Sequence, residues 1–225
     1  LNRKIIFNSL WMMSEKIVSI FGLIFVTSFV AKYVGPDIFG NIALALSIFQ
    51  LIQLASQLGS DVLIFKRLSR NKKSGINLIN VTSRIRMIVY MALSVPVLIF
   101  NYFYMDSNSF FYVVAAFIAC FIQAMDVYSI YYDATLNSKI NTFVNIFGLI
   151  VSLLFRWYIA FMMLNPLWLC LPIVVAPLVS MSIRLFYFSR STSSQVISKK
   201  FKKKYVKYML GAGSSLVISS LSGLC

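Results

Sequence analysis

Polar side chains recur in this sequence at intervals that would stack them on one side of a helix. Gln50, Gln53, Gln57 and Asp61 stand at steps of three and four, and so do Asn141, Asn145, Gly148, Ser152 and Arg156. Gln123 and Asp126 are one turn apart, and Asp133 follows two turns on. Such steps line up along a single helix face. Aligned amides and hydroxyls offer donors and acceptors to a hydroxyl-rich ligand such as a sugar. A carboxylate among them can hold a cation, and the planar fork of an arginine fits phosphate oxygens. Hydrogen bonds between packed helices, worth about 0.6 kcal/mol each in membranes, account for one or two such glutamines. They account less well for three stripes that each end in a charge, so the stripes read as the lining of a hydrated cavity.

Glu15 and Lys16 add charge at the head of a segment that runs apolar from Ile17 to Ala31. A charge at lipid depth costs roughly 3 kcal/mol even on insertion scales, so it turns toward a bundle interior or toward water. Glu15 is expected to bind a coupling cation or to pair with Lys16 or Arg184. Lys16 and Arg156 suit a diphosphate. Arg156 has a second reading, because Trp157 and Tyr158 follow it. An arginine beside such an aromatic belt snorkels to the outer headgroups.

The elements that must position these groups are membrane helices. The chain has 225 residues, of which 60% are hydrophobic and only 12% charged. Apolar runs of this length belong to a polytopic membrane protein. A formal charge of +15 would point to nucleic acid in a soluble domain. Here the cations sit in loops beside the spans, so they read as topology signals and contacts to anionic lipid, and no nucleic acid is expected. There is no histidine, and the three cysteines form no Cys-x-x-Cys. Zinc sites and histidine acid–base chemistry drop out, and neither an enzyme activity nor a cofactor is expected.

The fold class is all-α, a polytopic bundle of six transmembrane helices plus the start of a seventh. The periodicity predicts helices over about 8–32, 38–65, 86–105, 110–132, 139–164 and 167–188, the first two divided by Gly35-Pro36. Residues 1–190 form a six-helix lobe, 191–204 a basic cytoplasmic linker, and 205–225 the start of helix 7. Arg3 and Lys4, the 66–86 loop and the 190–207 segment are rich in lysine and arginine, and the opposite loops are nearly uncharged. This bias puts the N-terminus in the cytoplasm. Lys4, Leu10, Ser14, Val18 and Ser19 have counterparts at Lys204, Leu210, Ser214, Ile218 and Ser219, a faint internal repeat. The chain begins at Leu1 and ends at Cys225 in an apolar stretch, so it reads as the N-terminal part of a longer protein.

Several motifs carry a resemblance. They are Asn8-Ser9-Leu10-Trp11, Ser14-Glu15-Lys16, Tyr33-Val34-Gly35-Pro36-Asp37-Ile38-Phe39-Gly40, Leu58-Gly59, and Asp126 through Tyr131-Tyr132-Asp133 to Asn137-Ser138-Lys139. Together they resemble the O-antigen flippases (Wzx-type) of the polysaccharide transporter family. The resemblance implies two six-helix lobes around a central cavity. It implies alternating-access export of an undecaprenyl-diphosphate-linked oligosaccharide across the bacterial inner membrane, with proton or sodium coupling and polysaccharide polymerase machinery as partners. Glu15 and the stripe from Asn141 to Arg156 would then line the cavity. The second lobe is not in this sequence. Exporters of capsule or teichoic-type precursors share the Gly-Pro motif. A multidrug exporter would need more acids than six. A membrane glycan polymerase would need catalytic carboxylates or a large outer loop. An inactive fragment or a scaffold is the remaining alternative.

Overall fold

The computed structural model describes residues 3–57 and 59–191, and every regular element among them is helical. Helix α1 spans Arg3–Gln57 and is broken at Gly35, whose φ of 81° only glycine adopts without strain. Pro36 follows and starts the second arm. Thr27 and Val30 line the same pocket as Ala43 and Leu46. In a straight helix Thr27 and Leu46 would stand about 28 Å apart, so the two arms fold back on each other. Then come α2 (Ser60–Arg70), α3 (Lys72–Tyr104), α4 (Ser107–Met125), α5 (Tyr128–Ala134), α6 (Ser138–Phe161), a 3-10 turn (Pro166–Leu169) and α7 (Cys170–Ser191). Five segments are long and apolar enough to cross a membrane, as expected of a helical membrane bundle.

Three boundaries differ from expectation. The helix expected over 38–65 stops at Gln57, because Gly59 takes a left-handed conformation (φ 62°) and α2 starts anew. The expected loop over 66–85 is helical: α2 carries its first part and α3 starts at Lys72, not Arg86. Both stretches are amphipathic, and Leu63, Ile64, Leu68, Leu78 and Ile79 bury one side of them against Tyr131, Tyr132 and Phe188. Basic residues on the outer side hid that pattern. The helix expected over 110–132 breaks at Asp126 (φ −77°, ψ 65°). Asn165-Pro166 does turn the chain, with the Asn165 side chain accepting from the Leu167 N–H at 3.0 Å.

A second core lies at mid-bundle. Ala45, Phe49, Tyr90, Ala116, Cys120 and Ala124 pack there, and the Tyr90 hydroxyl donates to the Phe117 carbonyl at 2.9 Å. Buried alanines along α4 let its neighbours approach closely, as small residues do between membrane helices. Gly148 serves the same end on α6: a Cβ there would lie 3.0 Å from the Ala176 carbonyl oxygen and 2.5 Å from the Ser180 hydroxyl. The first arm of α1 leaves Ile17, Phe21, Ile24 and Phe25 exposed. The expected helix over 205–225, the 191–204 linker apart from the last residue of α7, the second copy of the internal repeat and Cys225 fall outside the described residues.

Candidate functional site

The polar side chains converge where two helices are broken. Gly59 interrupts the run from α1 to α2, and Asp126 interrupts α4 and α5. A break frees backbone groups, and at membrane depth such groups are tolerated only inside protein or beside water. Between the breaks lies a cleft of about 200 Å³. Gln53 and Gln57 line it from α1, Asp61 from α2 and Arg86 from α3, facing Gln123, Asp126, Ser129 and Ile130.

Arg86 anchors one wall. It is 2% exposed and donates through Nε to the Ser60 hydroxyl at 2.9 Å, through Nη1 to the Ala124 carbonyl at 3.4 Å, and through Nη2 to Asp61. Asp61 is 44% exposed, so this ion pair has one buried and one wet partner.

Arg184 anchors the other wall, in an ion pair enclosed on both sides. Its guanidinium donates to the Asp126 carboxylate and to the Asn145 side-chain oxygen. The two ion-pair side chains are 5% and 10% exposed. Asn145 in turn donates through Nδ2 to Glu15 Oε1 at 2.7 Å. One chain of bonds therefore joins α1, α6, α7 and the α4–α5 break. Glu15 meets Arg184 only through Asn145. Four buried polar atoms have no hydrogen-bond partner among the described residues: Gln53 Oε1, Asp126 Oδ1, Asn141 Oδ1 and Arg184 Nε. Gln53 and Asp126 both border the cleft.

The predicted residues divide accordingly. Gln53, Gln57, Asp61 and Asp126 line the cleft, and Glu15 and Asn145 brace its wall. The alignment of Asp61 with the glutamines on one helix is corrected: Asp61 starts α2, and the break returns it to the same cleft. Gln50 and Lys16 are exposed and outside it. Asn141 is buried and donates to Asp133 Oδ2 at 3.1 Å, while Ser138 donates to Asp133 Oδ1 at 2.7 Å, so this trio fastens the α5–α6 turn. Ser152 donates to the Pro172 carbonyl at 2.8 Å and joins α6 to α7. Arg156 lines a separate pocket of about 130 Å³ with Thr27, Val30, Phe39 and Ile42, while Trp157 and Tyr158 are exposed. It has no hydrogen bond or ion pair among the described residues.

Arg86 and Arg184 both carry a signal in the sequence. Arg86 read as a loop cation, although an apolar run follows it directly. Arg184 read only as one partner for Glu15, although it lies in the apolar stretch 177–188. An ionisable residue inside such a run is a functional candidate by default. Among the described residues no cluster of histidine, cysteine or acidic side chains could hold a metal.

Fold and cleft together define a helical bundle of the membrane-crossing kind, with a polar cleft between interrupted helices. No protein-family model, curated protein or solved structure matches the chain. The functional reading therefore rests on the cleft's own residues.

Proposed function

We propose that this chain is the N-terminal lobe of an alternating-access exporter. Its substrate is an undecaprenyl-diphosphate-linked O-antigen oligosaccharide, moved from the cytoplasmic to the outer leaflet of a bacterial inner membrane. Counting the two arms of α1 as separate crossings gives six spans, with the N-terminus cytoplasmic. One observation carries the reading: a polar cleft opens between two broken helices, lined by the amides and carboxylates of Gln53, Gln57, Asp61, Gln123 and Asp126. Sugar hydroxyls supply donors. The arginines at the cleft are already engaged by Asp61 and Asp126. Lys16 and Arg156, which stand outside the cleft and have no ion pair among the described residues, are assigned to the diphosphate. A polar site of this kind lowers the desolvation penalty that a charged, hydroxylated head meets in hydrocarbon.

The test is complementation of a strain lacking its O-antigen flippase by the full natural reading frame, read as polymerised O-antigen. Restored polymer supports the proposal. A correctly inserted protein that restores none refutes the O-antigen substrate and shifts weight to another glycan precursor or to drug export. Separately, a Lys16→Gln/Arg156→Gln double variant that complements fully would remove those cations from the diphosphate role.

A further inference from the structure

The α2–α3 hairpin carries a different chemistry from the cleft. Lys66, Arg67, Arg70, Lys72 and Lys73 fall within eight residues, and no acid occurs between Asp61 and Asp106. In a flexible loop these cations would be a solvated topology signal. Here they are mounted on a closed elbow. The Asn71 side chain accepts from the Ser74 N–H at 3.1 Å, and Arg67 Nε donates to the Ser74 hydroxyl at 2.8 Å. Gly75 lets the two helices meet, since a Cβ there would lie 2.8 Å from Leu68 Cα. Lys72 Nζ stands 5.3 Å from the centre of the Tyr131 ring. Lys66, Arg70, Lys72 and Lys73 remain exposed.

The apolar surface beside them is the second observation. Val62 and Phe65 on α2 are 47% and 45% exposed, although Leu63, Ile64 and Leu68 on the other side are buried. Exposed apolar residues one turn from cations suit a helix that enters a membrane interface, with the apolar side chains toward the acyl chains and the cations toward the headgroups. The length of α3 places this helix. Its 33 residues extend about 50 Å, against roughly 40–45 Å for a bilayer with its headgroups. The exposed aromatics Tyr102, Phe103 and Tyr104 mark the far interface. The near end of α3 then reaches past the opposite headgroups, and α2 runs back alongside it through the headgroup layer.

We propose that the outer face of α2 and the elbow after it form a docking surface for anionic phospholipid headgroups. Val62 and Phe65 meet the upper acyl chains, and Lys66, Arg70, Lys72 and Lys73 take the phosphates. The surface is distinct from the cleft and stands whatever the cleft carries.

The test uses the protein purified in detergent, with phosphatidylglycerol and phosphatidylcholine as probes and retained lipid counted by native mass spectrometry. Preferential retention of phosphatidylglycerol is expected. The K66Q/R70Q/K72Q/K73Q variant should lower that preference about tenfold or more. Phe65→Ser keeps every charge and should lower phosphatidylglycerol retention about threefold, which decides the matter if the neutralised variant fails to insert. Inorganic phosphate at matched concentration should not displace the lipid. Unchanged preference in the neutralised variant, or unchanged phosphatidylglycerol retention in Phe65→Ser, would overturn the proposal, and so would displacement by inorganic phosphate. Equal displacement by an acidic peptide would reassign the surface to a protein partner.

Discussion

Two arginines of this bundle, the buried Arg184 and the half-buried Arg156, show what a guanidinium between helices needs. Arg184 sits against Asp126 and Asn145 in a bonded network that reaches Glu15. Arg156 sits about 16 Å further along the bundle, by helix rise from Asn145, among aliphatic and aromatic side chains and Thr27. The first has its charge balanced by the protein itself, although its Nε finds no partner among the described residues. The second has no counter-charge among the described residues. A charge-balanced pair holds helices in place, whereas a cation without a counter-charge is available to a ligand. The difference can be tested by removing each group in turn.

The largest effect is expected at Arg184. Arg184→Met leaves Asp126, which is 10% exposed, without its cation. Stranding one half of a buried pair costs about 3–5 kcal/mol. Denaturation in detergent should show that loss, and Arg184→Met/Asp126→Asn should recover most of it. If the single variant were as stable as the parent, the pair would not be buried as described. Arg86→Met should cost less, about 1–3 kcal/mol, because Asp61 is 44% exposed and can rehydrate. An equal loss at both arginines would erase the distinction between a wet and a dry ion pair. Ser152→Ala should cost only about 0.6 kcal/mol, the average for a hydrogen bond between membrane helices.

The sequence made one half of this contrast easier to read than the other. The stripe from Asn141 to Arg156 does face inward, because 3.6-residue periodicity survives folding. What it cannot specify is which neighbour each rung meets. Asn145 meets Glu15 and Arg184, Ser152 meets a carbonyl and Arg156 meets aliphatic carbon. Those partners lie 20 to 130 residues away in the chain. The cleft was half legible for a further reason. Gln53 and Gln57 were found by spacing, but the break at Gly59 re-aims Asp61, and the break at Asp126 ends α4 early. Helix breaks of this kind are decided by tertiary packing around a single glycine or aspartate, not by hydrophobic pattern. The α2–α3 hairpin failed differently. Its apolar side was present in Leu63, Ile64, Leu68, Leu78 and Ile79, but the density of lysine and arginine outside it imitates a loop.

Glu15→Gln sharpens the comparison without large energetic cost. A glutamine oxygen can still accept from Asn145 Nδ2, so melting should shift by less than about 1 kcal/mol. Complementation should nevertheless fall if the charge of Glu15 serves transport. Full activity at matched protein level would reduce Glu15 to a brace for Asn145.

Arg156→Met should change stability least of all, and in a definite direction. The guanidinium in its apolar pocket gains no ion pair or hydrogen bond from the described residues that methionine would forfeit. Replacing a half-buried cation that has no partner among the described residues by an apolar side chain of similar length relieves a desolvation penalty. The melting temperature of the empty protein should therefore stay level or rise. Transport should fall, because the same substitution removes the cation assigned to the diphosphate. Stability and activity moving apart in this way is the signature of a residue kept for its ligand. A clear loss of stability in Arg156→Met would mean that the side chain holds the bundle together, and the contrast with Arg184 would collapse.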